Sequence, residues 1–287
     1  MMPLEVFFRM LASDFRSGAR EVAGRFALAL LMLILVVASF RFLMLRDDGT
    51  FSQQSFIDCF ASLFGGMEEF DAQHDGTFPI PASWLCVCLV GAFIPLSYPR
   101  HNLETIGIMQ CMEARGRWCW WLSKCVWTVA CAFAYWACAV AVALLASGSN
   151  VSANPLKLSQ DAADVLGFFV AGDCLALEGS PGLLMFVIGV PFALAALCLI
   201  QLAVCINVNP FAAFAITASL LFHAAFYLTL VSLGNYLMLA RSLLSIHNGV
   251  DAGLGILVSL GVAAAAIISG GLMFGKRDLL GKEQYGQ

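Results

Sequence analysis

The chain has 287 residues, of which 61% are hydrophobic and 12% are charged, with a mean hydropathy of +0.86 and a formal net charge of −4. Soluble domains draw about a quarter of their residues from Asp, Glu, Lys and Arg, so this composition excludes an ordinary water-soluble fold. The charge gives no support for nucleic-acid binding either. We predict an all-α polytopic membrane protein that forms a single transmembrane domain over residues 1–287.

Six stretches of the chain are apolar enough to cross the hydrocarbon core, which needs about 20 residues. They cover residues 26–45, 82–98, 118–146, 182–206, 211–233 and 253–274. An N-terminus on the inner side places eleven of the fifteen Lys and Arg residues in the cytoplasm. This distribution follows the positive-inside rule. The sequence therefore predicts a multi-pass protein of a cell membrane, of bacterial type, with both termini in the cytoplasm.

Residues 3–24, before the first span, have the pattern of an amphipathic helix. Apolar residues that include Phe8 and Phe15 share one face, and Arg9, Arg16 and Arg20 share another. An apolar face with a basic flank is typical of a helix that lies in the membrane interface. The alternative is that the segment continues the first span with a bend at Gly24.

The segment 46–81, between the first two spans, is rich in Asp and Glu and is predicted to be a solvated outer segment. It lacks the Asp-x-Asp-x-Asp-Gly pattern of a calcium loop. Cys59 lies in this segment and Cys174 lies in the next outer one. A disulfide between these two cysteines is one alternative, since the outer compartment permits disulfides.

The loop between the second and third spans is longer than a simple connector. Pro99 is expected to end the incoming helix, Asn102 to cap a new one, and Gly116 to end it. Beyond Gly116, three tryptophans between basic residues mark a membrane–water boundary: Trp118, Trp120 and Trp121. The sequence therefore predicts a short cytosolic helix over residues 102–114, on which a partner docks.

The predicted spans contain no recognisable catalytic or metal-binding motif, such as HExxH or GxSxG. Gly270, Gly275 and Lys276 fit the start of an ATP-binding Walker A pattern, but Arg277 stands at its Ser/Thr position and a membrane helix precedes it. No Asp or Glu lies in a predicted span, which disfavours an ion-coupled carrier. We predict no cofactor, no metal site and no catalytic residue.

This arrangement resembles the membrane subunit of a type-2 ABC exporter, particularly permease-like proteins of Gram-positive bacteria. The residues that carry the resemblance are Arg115-Gly-Arg-Trp118, Trp121-Leu-Ser-Lys124 and the tail Phe274-Gly-Lys-Arg-Asp278. The architectural likeness is the interfacial N-terminal helix, the six spans and a cytosolic coupling helix between the second and third. The motif likeness covers about 30 residues around the coupling helix.

The resemblance implies a permease subunit that pairs with a second permease subunit and exports a lipid-like or peptide substrate. Separate cytosolic ABC ATPase subunits would hydrolyse ATP and dock on the coupling helix; substrate-binding residues are unknown. The residues expected to contact the ATPase are Asn102, Leu103, Glu104, Ile106, Met109, Glu113, Arg115 and Arg117. The alternatives are a non-transporting sensor or peptide-immunity module, an ion-coupled carrier and an intramembrane enzyme.

Overall fold

The computed structural model describes residues 4–45, 54–70, 78, 80–113, 116–148, 158–167, 181–246 and 248–277. Within these ranges the chain forms ten α-helices and no β-strand. The helices are α1 (Leu4–Leu43), α2 (Phe56–Phe64), α3 (Ala82–Phe93), α4 (Tyr98–Asn102), α5 (Ile108–Glu113), α6 (Arg117–Ser147), α7 (Gln160–Leu166), α8 (Pro181–Asn207), α9 (Pro210–Phe226) and α10 (Ala252–Lys276). A π-helical stretch (Leu103–Gly107) joins α4 to α5, and two 3₁₀-helices (Leu233–Leu237 and Leu239–Arg241) lie between α9 and α10.

Five helical stretches among the described residues are long and apolar enough to cross a membrane, which indicates a multi-pass membrane protein. The predicted spans 118–146, 182–206 and 253–274 agree closely with α6, α8 and α10. The predicted spans 82–98 and 211–233 end early, since α3 stops at Phe93 and α9 stops at Phe226. With only 17 residues, α9 is a short apolar helix, so the sixth crossing stays a prediction.

The predicted boundary at Gly24 is wrong, because residues 4–43 form one continuous helix. The interfacial helix 3–24 and the span 26–45 are therefore parts of the same element. At 1.5 Å per residue these 40 residues extend about 60 Å, roughly twice the thickness of the hydrocarbon core. The N-terminal half of α1 therefore has the length to project beyond the membrane.

A single buried stripe runs along α1 and explains why the helix is unbroken. It faces α6, and its members recur mainly every four residues: Met10, Asp14, Gly18, Val22, Ala29, Leu33, Val37 and Phe40. Gly18 is required at one contact, since a Cβ there would lie 2.6 Å from the indole of Trp127. Phe8 and Phe15, which the sequence assigns to a face in the membrane interface, lie outside this stripe and are exposed.

The centre of the bundle is α8, which packs against α6, α9 and α10. Every residue from Ala193 to Leu199 is buried, so this helix is apolar all round its circumference. By contrast, α1, α6 and α10 each turn a long face of large apolar side chains to the surroundings. Such faces suit lipid or another protein rather than water.

The interpretation of segment 46–81 as a solvated region is wrong for residues 54–65, whereas Glu69 and Ile80 are exposed. Residues 54–65 are buried, and α2 packs between α1, α3 and α6. A capping box starts this helix: the Asp58 amide donates to Ser55 Oγ at 3.1 Å, and the Ser55 amide donates to Asp58 Oδ2 at 2.8 Å. Cys59 is fully buried. Cys174 lies outside the described residues, so their pairing stays untested.

Arginines close the carboxyl ends of five helices by donating to carbonyl oxygens there. These pairs are Arg25 with Ile94 of α3, Arg41 with Ala146 of α6, Arg100 with Cys205 and Val208 of α8, Arg117 with Phe274 and Gly275 of α10, and Arg241 with Ala224 and Ala225 of α9. The last turn of a helix leaves carbonyls without partners and carries a partial negative charge. A guanidinium offsets both, which explains why these charges are retained in an apolar chain.

Candidate functional site

The candidate site lies at one end of the bundle, where the first half of α1, residues 98–113 and the start of α6 meet the last turns of α8 and α10. We name it the tryptophan end, after Trp118, Trp120 and Trp121. The indole of Trp121 donates to the Ile267 carbonyl at 2.8 Å, and Trp120 stacks on Phe274 with ring centroids 5.0 Å apart. These contacts hold α6 against α10 and fix the surface on which helix 98–113 rests.

Helix 98–113 begins earlier than predicted. Tyr98 is its first residue and Pro99 lies in its first turn, where the missing amide proton costs nothing. The preceding break falls at residues 94–97, so Pro99 starts a helix rather than ending one. Asn102 is not a cap: it has helical dihedrals and is buried, and its Oδ1 accepts a hydrogen bond from Trp120 Nε1 at 3.1 Å.

The π-helical stretch changes which residues share a face. Leu103, Ile106 and Met109 would align in a regular helix, but one extra residue in a turn rotates the rest of the helix by about 100°. Leu103 is consequently buried with Met10 and Trp120. The expectation that it presents itself to a partner is wrong.

The exposed apolar residues of this helix form a ridge that we define as Ile106, Met109 and Met112. Their exposed fractions are 44%, 71% and 63%. Ile106 and Met109 were predicted at such a surface, whereas Met112 was missed. Exposed apolar anchors along one helix are typical of a helix that docks into a groove.

Charged residues flank the ridge and tie the helix to its neighbours. Glu113 forms an ion pair with Arg9 of α1, and Glu104 accepts from Arg100 at 2.9 Å. Arg117 donates to carbonyls at the end of α10. Arg115 lies outside the described residues. Exposed pairs of this kind contribute less than about 1 kcal/mol each, so their effect is orientation more than stability.

Beneath the helix lies a buried polar cluster that the sequence did not predict. Lys124 of α6 and Asp14 of α1 form an ion pair, and both are almost completely buried. The Tyr98 hydroxyl donates to Asp14 Oδ1 at 2.9 Å, and the Ser123 hydroxyl donates to Oδ2. Lys124 Nζ also lies 5.1 Å from the centroid of the Tyr98 ring and 5.2 Å from that of Trp120.

The argument against an ion-coupled carrier assumed that the membrane domain has no buried carboxylate, and that assumption is wrong. Asp14 and Asp58 are both buried. Each is surrounded by protein donors, however: Asp14 by Lys124, Tyr98 and Ser123, and Asp58 by the amides of Ser55 and Ser159. Such saturation is typical of a structural carboxylate rather than of one that exchanges protons or ions.

The cluster connects the ridge to the membrane helices. Tyr98 opens helix 98–113 and contacts Asp14 of α1, while Asn102, one turn later, contacts Trp120 of α6. A displacement of the helix would therefore pull on both α1 and α6. The described residues contain no group of three or more His, Cys, Asp or Glu side chains that could hold a metal ion.

No family model, curated protein or solved structure matches this chain.

Proposed function

We propose that the chain is the membrane-spanning subunit of an ATP-driven exporter of the type-2 ABC kind, with ATP hydrolysed by a separate cytosolic subunit. In this proposal the tryptophan end faces the cytoplasm and helix 98–113 is the coupling helix. The support consists of the sequence resemblance, the apolar helices of a multi-pass protein and the exposed ridge. The ridge is the observation that carries the proposal.

An apolar ridge is out of place on a helix that is otherwise held by charged and polar contacts. Met109 and Met112 are flexible, polarizable side chains that adapt well to a partner's pocket. Burying each of the three anchors in a groove would contribute roughly 1.5–3 kcal/mol. These contributions would offset part of the free-energy cost of bringing the ATPase and the permease together.

Coupling between ATP hydrolysis and the membrane helices then depends on how helix 98–113 is attached to α1 and α6. ATP binding would bring two ATPase subunits together and displace the two docked helices. Through Tyr98 and Asn102 each helix would move α1 and α6 of its own permease subunit. A ligand drives such a change only by binding one state more tightly than the other, and here the ligand is ATP on the partner. The cargo would be lipid-like or peptide, exported outward by a permease pair.

The test is the double substitution Ile106→Asp and Met109→Asp in the full chain, purified in detergent with an affinity tag. The wild-type chain should retain an ABC ATPase subunit, identified by mass spectrometry and by its ATP hydrolysis. Loss of two anchors should weaken retention by about a hundredfold or more, at 1.4 kcal/mol per tenfold. Val208→Asp is the matched control, because Val208 is also an exposed apolar residue at this end.

Retention of the ATPase by the double variant would contradict the proposal, provided that both variants unfold at the wild-type temperature. If the wild-type chain retains no ATPase, a non-transporting sensor or peptide-immunity module becomes the better interpretation. If the double variant and Val208→Asp lose the ATPase to the same extent, the loss is not specific to the ridge and the proposal fails.

A further inference from the structure

A cavity of about 430 Å³ lies at the opposite end of the bundle from the tryptophan cluster, between α1 and α2. Its walls are the second half of α1, the last turn of α2, the start of α3 and the end of α7. This volume falls within the range of about 300–1,000 Å³ that is typical of small-molecule sites. We name it the α1–α2 cavity.

Small residues keep the cavity open. Where α2 ends, the wall consists of four small residues: Ala61, Ser62, Gly65 and Gly66. Gly66 has a φ of +70°, so the chain turns sharply there and Met238 packs against its other side. Because α2 is short and the chain turns at Gly66, a gap remains between the end of α2 and α1.

The lining combines an aliphatic wall with hydroxyl groups from three separate helices. Leu35 of α1 belongs to the aliphatic wall, and Ser39, Ser62 and Ser83 supply the hydroxyl groups. Ser62 donates to the Cys59 carbonyl at 2.8 Å, which leaves its oxygen free to accept. The hydroxyls of Ser39 and Ser83 have no hydrogen-bond partner among the described residues, so both can donate to a ligand.

No charged side chain belongs to the described lining. A ligand with an ionised group inside the cavity would find no side chain of opposite charge among these residues, so that charge would stay unpaired. An uncharged polar group such as a hydroxyl, ester or amide would instead find three serine hydroxyls. The lining therefore selects for a neutral amphiphile.

The position of the cavity points to the membrane as the source of that ligand. Its α1 wall extends from Met32 to Leu43, about 16 Å along the helix, which is roughly half the thickness of the hydrocarbon core. Leu35 and Leu43 line it and are themselves exposed, so the cavity is open sideways to the surroundings of the bundle. An amphiphile could enter from one leaflet without crossing water.

From these observations we propose that the α1–α2 cavity binds a lipid-like molecule with a hydrocarbon chain and an uncharged polar group. The site is separate from the ridge, and its occupancy does not depend on the proposed export function. A test of binding alone can therefore fail while ATPase docking succeeds, and the reverse also holds.

The experiment uses the full chain in phosphatidylcholine vesicles with a photoreactive diazirine analogue of a monoacylglycerol as the probe. Crosslinks should map to residues 32–43 and 61–66, should saturate, and should be displaced by unlabelled monoacylglycerol. An alkyl trimethylammonium of equal chain length should compete at least about tenfold less well, which corresponds to 1.4 kcal/mol.

Two variants make the test specific to the cavity. Ser39→Phe should fill it and lower labelling by about tenfold or more, a cost of 1.4 kcal/mol or greater. Ala38→Phe is the matched control, because Ala38 is the exposed neighbour of Ser39 and does not line the cavity. If Ser39→Phe does not fold, Ser83→Phe closes the same space from α3.

Labelling that does not saturate, or that the charged amphiphile displaces equally well, would overturn the proposal. So would unchanged labelling in a folded Ser39→Phe or Ser83→Phe variant.

Discussion

The two ends of the bundle bury a positive charge in different ways. At the tryptophan end, Lys124 is neutralised by the carboxylate of Asp14 on another helix. At the opposite end, the guanidinium of Arg241 donates to the backbone carbonyls of Met67, Glu68, Ala224 and Ala225 and to the side chain of Asn235. Burial lowers the pKa of Arg241 to about 10, with Glu69 opposing, so the group stays charged at neutral pH.

The two buried cations differ in what they need from the surrounding residues. An ion pair joins two side chains, so the loss of either one leaves the other as a buried charge without a counter-ion. The guanidinium of Arg241 is held mainly by backbone carbonyls, with Asn235 as its one side-chain acceptor among the described residues, so it joins chain segments rather than two helix faces. Lys124 therefore sets how α1 lies against α6, whereas Arg241 holds the end of α9 against the residues that come after α2.

The largest expected effect comes from breaking the ion pair on one side. Asp14→Leu leaves Lys124 buried without a counter-ion and should destabilise the protein by about 3–5 kcal/mol. The double variant Asp14→Leu, Lys124→Met should recover most of that loss, because it removes both charges at once. Unfolding by SDS in maltoside micelles, followed by the fluorescence of the six tryptophans, measures the free energy. A double variant as unstable as the sum of the single ones would show that the two charges are not coupled.

Loss of the other buried cation should have a smaller effect and no rescue. Arg241→Met removes several charge-assisted hydrogen bonds, each worth about 1.5–3 kcal/mol, and should cost roughly 2–4 kcal/mol once the α9 carbonyls relax. Arg241→Lys should recover less than half of the lost free energy of unfolding. An ammonium lacks the planar set of donors with which the guanidinium reaches two chain segments at once. The same SDS unfolding measures both variants.

A second substitution sharpens the contrast between the two ends. Asn235→Ala added to Arg241→Met should destabilise further, since Asn235 also donates to the carbonyls of Tyr227 and Thr229. Rescue by that double variant would mean that Arg241 depends on a side-chain partner as Lys124 does.

The sequence predicted best those elements that composition alone determines. The bounds of α6, α8 and α10 can be read from hydropathy, because the preference of a long apolar helix for lipid does not depend on its neighbours. The basic residues are also partly explained by the fold. Arg25, Arg100 and Arg117 close helix ends at the tryptophan end, while Arg41 and Arg241 do so at the other.

Features that need a tertiary partner could not be predicted from the sequence. No feature of the sequence pairs Asp14 with Lys124, because the two residues are 110 positions apart and meet only when α1 packs against α6. The π-helical stretch has no distinct sequence signal, so Leu103 was placed on the wrong face. The segment 46–81 was interpreted as solvated because it is rich in acidic residues. With only nine residues, α2 is too short to be recognised as a membrane span.

The smallest effect concerns Asp58, a buried carboxylate at the same end as Arg241. Burial raises the pKa of its carboxyl above the ordinary value of 3.8, although backbone hydrogen bonds from Ser159 and Ser55 oppose the rise. The folded protein therefore holds this proton more tightly than the unfolded chain does. Its contribution to stability is fully present below about pH 4 and is lost as the pH rises through the raised pKa.

Asp58→Asn tests this sign, because the amide cannot ionise. Its single carbonyl oxygen replaces only one of the two acceptors, so the variant should be about 1 kcal/mol less stable at low pH. The difference from wild type should shrink as the pH rises, since only the wild type has a carboxyl to ionise. Glu104→Gln, at an exposed carboxyl, is the control and should keep the wild-type pH dependence. An Asp58→Asn variant whose deficit grows with pH would show that the ionised carboxylate stabilises the fold, and that the hydrogen bonds from Ser55 and Ser159 outweigh the cost of burial.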